Sequence, residues 1–370
     1  MGKIRIGIIG CGNIANTKHM PTLFKFKDRV EMVAFCDLIP EKAEKAAKKY
    51  GIPNAKIYTD YRKCVADPDI DVIHVCTPNR SHSEITVAAL EAGKHVMCEK
   101  PMAISGDEAQ KMVDAAKKYN RLLTIGYQNR YRKDTQTLKK LIDQGELGEI
   151  YYAKAHALRR RGIPNWGVFT NKQEQGGGPL IDIGTHSLDI TLWMMNNYKP
   201  VAVLGSTFNM LGTTLRGDEQ GTDEHWDPDT FEVEDAAFGL IKFENGATVY
   251  LETSWALNTL DQRQAMNTLY GTKAGSSMEY KGEAGTDRTL LINKVQAGAQ
   301  VVVNVNVAEP EDPSADLIFS YPGADLECAT WINALEGKGE LTVLPEQAMM
   351  VTKILEAIYQ SARTGKAVYF

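Results

Sequence analysis

Through the first 128 or so residues, short apolar runs alternate with longer segments of helical composition. The runs at 4–9, 32–36, 72–76, 95–98 and 122–127 are apolar nearly throughout, not at every second position. That texture belongs to parallel strands covered on both faces. Between them, residues 41–50, 81–92 and 105–119 read as helices, with Ser81–Glu84 and Ser105–Glu108 as capping-box pairs at two starts. The alternation predicts a doubly wound, parallel α/β sheet over residues 1–128.

Beyond residue 128 the pattern changes. A helix at 133–144 leads to a strand at 150–158, and a glycine-rich loop opens a second helix at 179–195. Two β-rich runs, 236–243 and 248–255, flank Glu244-Asn245-Gly246, a strong hairpin signal. An α+β domain with an open, mostly antiparallel sheet is expected over 129–370, its last helix (345–361) packing near the domain junction. A chain of 370 residues also exceeds what one core usually supports.

Composition narrows the function. With 43% apolar and 24% charged residues the chain reads as globular, and a net charge of −5 argues against nucleic acid. The one dense basic run, Arg159-Arg160-Arg161, is too short for a nucleic-acid surface. Six scattered cysteines without a Cys-x-x-Cys pair suit a reduced, cytoplasmic protein. Neither a signal peptide, nor a myristoylation signal, nor a membrane span is expected. The acidic stretch 217–235 (Asp218, Glu219, Asp223, Glu224, Asp227, Asp229) lacks EF-hand spacing. It reads as a solvated loop, near a site mouth or a subunit contact, and no metal site is expected.

Gly10-Cys11-Gly12-Asn13-Ile14-Ala15 follows the first strand and opens the first helix. Gly10 permits a tight turn, Gly12 lets a pyrophosphate approach the backbone, and Ala15 allows close helix–strand packing. The helix start supplies amides for the anion. Asp37, ending the second strand, would accept hydrogen bonds from ribose hydroxyls and repel a 2′-phosphate. Leu38 and Ile39 follow with no adjacent arginine, so NAD is preferred over NADP. Thr77, Pro78 and Asn79 end a strand on the ligand-binding edge and are expected to line the nicotinamide half. His82 reads equally as helix surface or as a cofactor contact.

Glu99-Lys100-Pro101 closes a strand on the same edge, where the Lys100 amine could hydrogen-bond a substrate hydroxyl. In the second half, Gly176-Gly177-Gly178-Pro179 opens a helix on which Asp182 and His186 are four residues apart, about 5–6 Å between Cβ atoms on one face. Asp189 continues that face. An acid and a histidine on one helix, with a lysine opposite, form a plausible set for oxidising an alcohol. Arg159 and Arg161, alternating on a strand taken to run to residue 161, and Trp166 read as a sugar-pocket wall or as a solvated strand end.

These pieces in this order resemble the glucose–fructose oxidoreductase / inositol dehydrogenase / rhizopine catabolism (Gfo/Idh/MocA) family. The resemblance spans essentially the whole chain and includes Gly126-Tyr127-Gln128-Asn129-Arg130 and residues 177–189. It implies a Rossmann domain followed by an open sheet often used for homo-oligomers, whether dimer, tetramer or higher. It implies Lys100, Asp182 and His186 as the catalytic group, with Glu99, Lys100 and Asn129 at the cofactor. Tyr127, Asp182 and His186 would touch a sugar, glycoside or inositol-like polyol. Asn165-Trp166-Gly167-Val168-Phe169 and His225-Trp226-Asp227-Pro228 are similar to members oxidising the 3-hydroxyl of glucose or glucosides. Whether Lys100 or His186 is the base stays open. Two other readings also stay open: an enzyme that retains NAD to cleave or epimerise a glycoside, and a non-catalytic NAD-binding regulator. Having Lys100, Asp182 and His186 together counts against the regulator.

Overall fold

The structure, a computed structural model, describes residues 2–223, 225–281, 287–307, 321 and 323–370. Six strands, β1 (Ile4–Ile9), β2 (Val30–Cys36), β3 (Lys56–Tyr58), β4 (Val72–Val75), β5 (His95–Cys98) and β6 (Leu123–Ile125), form one sheet in the order β3-β2-β1-β4-β5-β6. Every neighbouring pair is parallel. Ile6, Ile8, Val72, Ile73 and Val75 are fully buried, as strands covered on both faces require. The order reverses between β1 and β4, the place where open α/β sheets bind ligands.

The helix after β1 contains a π-turn (Ala15–His19) and continues as α1 (Met20–Lys25). α2 (Pro40–Tyr50), α3 (Tyr61–Val65), α4 (His82–Glu91) and α5 (Gly106–Lys118) complete the crossovers. Ser105 caps α5, its hydroxyl accepting from the Glu108 N–H at 3.3 Å. Ser81 makes no such cap. A 3-10 turn (Asn79–Ser81) precedes α4, and the Ser81 hydroxyl turns back to donate to Thr77 Oγ1 at 2.7 Å, while Glu84 accepts from Arg62 at 2.8 Å.

The remaining helices are α6 (Lys133–Asp143), α7 (Lys172–Gln175), α8 (Thr185–Met195), α9 (Ala324–Leu335) and α10 (Pro345–Thr364). The second sheet holds β7 (Ile150–Leu158), β8 (Pro200–Phe208), β9 (Ala236–Phe243), β10 (Thr248–Ser254), β11 (Arg263–Gly271), β12 (Ala274–Lys281), β13 (Asp287–Gln296), β14 (Ala299–Val305) and β15 (Val368–Tyr369). Its order is β14-β13-β12-β11-β7-β10-β9-β8-β15, antiparallel except between β7 and β10. The β9–β10 hairpin turns at Gly246, whose φ of +84° suits glycine. Burial alternates along β9: Gly239, Ile241 and Phe243 are inside, Leu240 and Lys242 outside. α8 packs against β7 and β11, while Leu204, Phe208 and Leu240 stay exposed.

The chain divides into two units, Met1–Tyr131 with Asp312–Met349, and Arg132–Glu311 with Met350–Phe370. The return of the segment carrying α9 differs from a single cut at residue 128. The apolar face of α9 explains it, since Cys328, Trp331 and Ile332 join the core of Ile6, Phe35, Val72 and Met97. Among the described residues, no helix is long and apolar enough to cross a membrane.

Candidate active site

In the first unit the glycine turn is wedged between two strand ends. Gly10 has φ +89°, and a Cβ there would lie 2.6 Å from the Cys76 carbonyl, so only glycine fits. Its N–H donates to Cys36 O at 2.8 Å. Gly12 differs: a Cβ there would meet nothing within 4 Å, the open approach that a pyrophosphate needs. Asn13 is exposed, Ile14 half-buried, and Ala15 fully buried against the sheet. Asp37 faces this turn, its Oδ2 accepting from the Cys11 N–H at 2.8 Å and its Oδ1 from the Ile39 N–H at 2.9 Å. The open cradle, the helix-start amides and this acid fit an adenine dinucleotide.

Thr77 is half-buried, Pro78 exposed and Asn79 buried at the end of β4. His82 is 1% exposed, and its two ring nitrogens lie 2.8 Å from the carbonyls of Pro101 and Thr77. It therefore links the loops after β4 and β5 and is buried, not helix surface. Half-buried Lys100 follows Glu99, whose Oε2 accepts the Lys100 backbone N–H at 3.0 Å. Tyr127 is fully buried and Asn129 half-buried. Gly126 has a clear reason: a Cβ there would stand 2.9 Å from Glu99 Oε1.

Glu99 belongs to a buried ionic cluster that sequence spacing did not reveal. Lys18 Nζ donates to Glu99 Oε1 at 2.8 Å and lies 2.9 Å from Glu327 Oε2. The His19 Nε2 lies 2.8 Å from the same Glu99 oxygen. Burial opposes charge on Glu99, yet Lys18 and His19 hold its carboxyl well below the usual range. Burial, reinforced by the charge of Glu99, pushes Glu327 up despite Lys18. The available signals were Lys18-His19 in the first helix and His74 inside an apolar strand.

In the second unit, close approach explains the glycine-rich entry. Gly176 has φ +81° and ends α7. A Cβ on Gly177 would lie 2.0 Å from Tyr359 Oη, and one on Gly178 2.2 Å from Glu234 O. The buried Glu234 then grips the start of the following helix. Its Oε2 accepts from the Gly178 N–H at 2.9 Å, and its Oε1 accepts from the Leu180 N–H at 3.1 Å and the Tyr359 O–H at 2.8 Å. Burial pushes the Glu234 carboxyl up, and burial beside this carboxylate raises Tyr359 well above its usual value, so the phenol keeps its proton. Asp235 is buried too, accepting from the N–H groups of Met210 and Gly212 at 2.7 and 2.8 Å. The acidic stretch is thus solvated only in part: Asp218, Glu219, Asp227 and Asp229 are exposed, and Glu224 lies outside the described residues.

Leu180–Gly184 forms a π-turn before α8. The wider turn locally departs from α-helical geometry between Asp182 and His186. Asp182 Oδ2 accepts from the buried Trp255 Nε1–H at 3.1 Å, while His186 and Asp189 are buried on α8. Trp255 was not singled out in the sequence; it marks the end of β10. Phe169 meets it edge-on at 6.4 Å between centroids, and half-exposed Trp166 meets Phe169 at 6.0 Å. This aromatic chain runs from solvent to Asp182. The two arginines are spoken for locally because β7 ends at Leu158. Arg159 donates to Gly162 O at 3.1 Å, and Arg161 to Asn258 Oδ1 at 2.7 Å. Both brace the loop while staying half-buried, and Trp166 is half-exposed beside them.

Two family models cover the chain: the oxidoreductase family's NAD-binding Rossmann fold over residues 4–127, and its C-terminal alpha/beta domain over 139–370. A D-glucoside 3-dehydrogenase of Escherichia coli (strain K12) is 37% identical over 99% of this chain and 97% of its own length. An inositol 2-dehydrogenase of Salmonella typhimurium (strain LT2) is 34% identical over 58% of this chain and 61% of its own. The crystal structure of an aldose-aldose oxidoreductase from Caulobacter crescentus, complexed with glycerol, is 26% identical with a TM-score of 0.79 over the whole of both chains. The cradle at Gly10–Gly12, the acid at Asp37 and the matches in both halves place this chain in the Gfo/Idh/MocA oxidoreductase family.

Proposed function

We propose that this oxidoreductase is a dehydrogenase of carbohydrate hydroxyls that uses NAD in preference to NADP, acting on a glucoside at C3. The full-length similarity to a D-glucoside 3-dehydrogenase carries the substrate class. The half-buried Asp37 carboxylate, facing the Cys11 N–H with apolar Leu38 and Ile39 beside it, supports the coenzyme preference.

Bound at the Gly10–Gly12 turn, NAD would supply the hydride acceptor for the carbon that carries the hydroxyl. His186, oriented with Asp182, takes the hydroxyl proton, so that carbon becomes a carbonyl. Lys100 hydrogen-bonds the alcohol oxygen and shares the proton duty. Trp255 fixes Asp182 through its indole N–H, and Trp166 offers an apolar face to a sugar ring. Thr77, Pro78, Asn79 and Asn129 are the further cofactor contacts in this reading. The exposed sheet face at Leu204, Phe208 and Leu240 supports self-association. Six free, buried cysteines support a reducing, cytoplasmic setting.

The test is NADH absorbance with purified protein against sugars, glucosides and inositols, after any bound nucleotide has been released by denaturation and identified. NADH accumulating with glucosides is the expected result. Bound NAD without NADH release would point to the retained-cofactor chemistry. Absence of turnover and of NADH with every sugar, glucoside and inositol would refute the proposal and favour the regulator.

A further inference from the structure

Within the first unit, a cavity of about 20 Å³ lies beside Lys18, His19, His74, Glu327 and Trp331. A single water needs roughly 10–15 Å³ of such space. Three polar atoms of the lining residues have no hydrogen-bond partner among the described residues: His74 Nε2, Glu327 Oε1 and Trp331 Nε1. All three side chains are buried. Buried polar atoms of native proteins are normally paired, with protein or with ordered water.

Following the protons identifies what suits this wall. Glu99, held ionised, only accepts, so the His19 Nε2 at 2.8 Å carries a hydrogen. In a neutral His19 ring, Nδ1 is then a lone pair facing His74 Nδ1 at 3.0 Å, so His74 donates there and its Nε2 is an acceptor. Lys18 occupies Glu327 Oε2, which leaves Oε1 as a second acceptor, and the indole is a donor only. The wall offers two acceptors and one donor, the complement of two O–H groups and a lone pair. One further proton, on His19 or Glu327, turns the wall into two donors and one acceptor, which the same molecule meets with its second lone pair. A cation would face the indole N–H in either state, and an anion would face a carboxyl oxygen or a ring lone pair.

We propose that this cavity is a built site for one water molecule that closes a hydrogen-bonded ring, Glu99–His19–His74–water–Glu327–Lys18. The ring makes Glu327 and Trp331 positioning residues for the Glu99 carboxylate, which holds the Lys100 N–H at 3.0 Å. This consequence for turnover rests on the reading of Lys100 as catalytic; the water site does not.

The test is a high-resolution crystal structure of the full chain, paired with Trp331→Phe, which removes the indole donor and keeps a similar shape. One water within hydrogen-bond distance of all three atoms is expected. Trp331→Phe should lower kcat by about tenfold while the KM for NAD stays within about twofold. A site without water density, or with an ion at coordination distance, overturns the site whatever the activity. Wild-type kcat in a folded Trp331→Phe protein that has demonstrable dehydrogenase activity overturns the positioning role. If the chain turns over no sugar, the density still decides the water site, so the two readings fail separately.

Discussion

Replacing Glu234 tests whether one buried carboxylate holds the start of the helix that bears Asp182 and His186. It accepts three hydrogen bonds, at 2.9 Å from Gly178, 3.1 Å from Leu180 and 2.8 Å from Tyr359. Glutamine keeps the shape but has a single acceptor oxygen. If that oxygen serves Leu180 and Tyr359, the amide group meets the Gly178 N–H donor to donor. One buried donor left unsatisfied costs about 1–3 kcal/mol, and two bonds losing a charged acceptor weaken by roughly 0.5–1 kcal/mol each. Relief of the buried charge, whose cost is visible in the raised carboxyl, offsets part of this. The net loss is about 2 kcal/mol for Glu234→Gln, and about 1–2 kcal/mol for Tyr359→Phe, which removes one donor to the carboxylate and the oxygen that the Ile181 and Gly178 N–H groups face. Glu234→Ala strands three donors and opens a cavity, for about 4 kcal/mol. Urea unfolding of the full chain should find Glu234→Ala the most destabilised of the three, with an unchanged m-value. Turnover of Glu234→Gln should fall by about tenfold, because a small misplacement of reacting groups is costly. A Glu234→Gln protein within about 0.5 kcal/mol of wild type, with wild-type turnover, refutes the clamp.

Three other outcomes follow from the same geometry. Asp37→Ser removes the acceptor that faces the Cys11 N–H; the ratio of kcat/KM with NAD to that with NADP should drop by at least about tenfold, and an unchanged ratio contradicts the assignment. Trp166→Ala, at a half-exposed position, should leave stability within about 0.5 kcal/mol and raise the KM for a glucoside about fivefold; an equal loss with every sugar and no change in KM would remove Trp166 from the pocket. Hydrogen bonds from Arg29 and Lys338 lower Glu336 from 4.5 to about 2. A carboxyl depressed on folding stabilises above its unfolded value and loses that contribution as pH falls through its folded one. The stability gap between wild type and Glu336→Gln should therefore be full at neutral pH and close between pH 4.5 and about 2, as urea midpoints will report. A gap that widens on acidification is incompatible with this pairing.

The first sheet was legible because strands buried on both faces write themselves as apolar runs. β3 was not, since Lys56 and Ile57 are exposed on a three-residue edge strand. The glycine turn and Asp37 are local features and could be read directly. The Lys18–Glu99–Glu327 cluster could not, because its partners stand 81 residues apart in one case and on a returning helix in the other. Glu234 was hidden by its neighbours: an acidic stretch averages to a solvated loop, though its last two carboxylates, Glu234 and Asp235, are buried. The arginine run was read as a continuation of the strand, whereas β7 ends at Leu158 and only an isolated bridge, Arg161 to Ala256, follows. Four-residue spacing likewise carries no mark of the π-turn at Leu180–Gly184.

Hydride transfer itself is the central claim, and isotope transfer tests it most directly. Protein incubated for a single turnover with NAD and a glucoside deuterated at C3 should yield reduced nicotinamide carrying that deuterium, by mass spectrometry of the denatured mixture. Deuterium should disappear from the coenzyme in Lys100→Ala and His186→Ala proteins that still bind NAD. Reduced coenzyme without deuterium would move the reaction to another carbon, and no reduced coenzyme from the wild type with any glucoside would contradict the account.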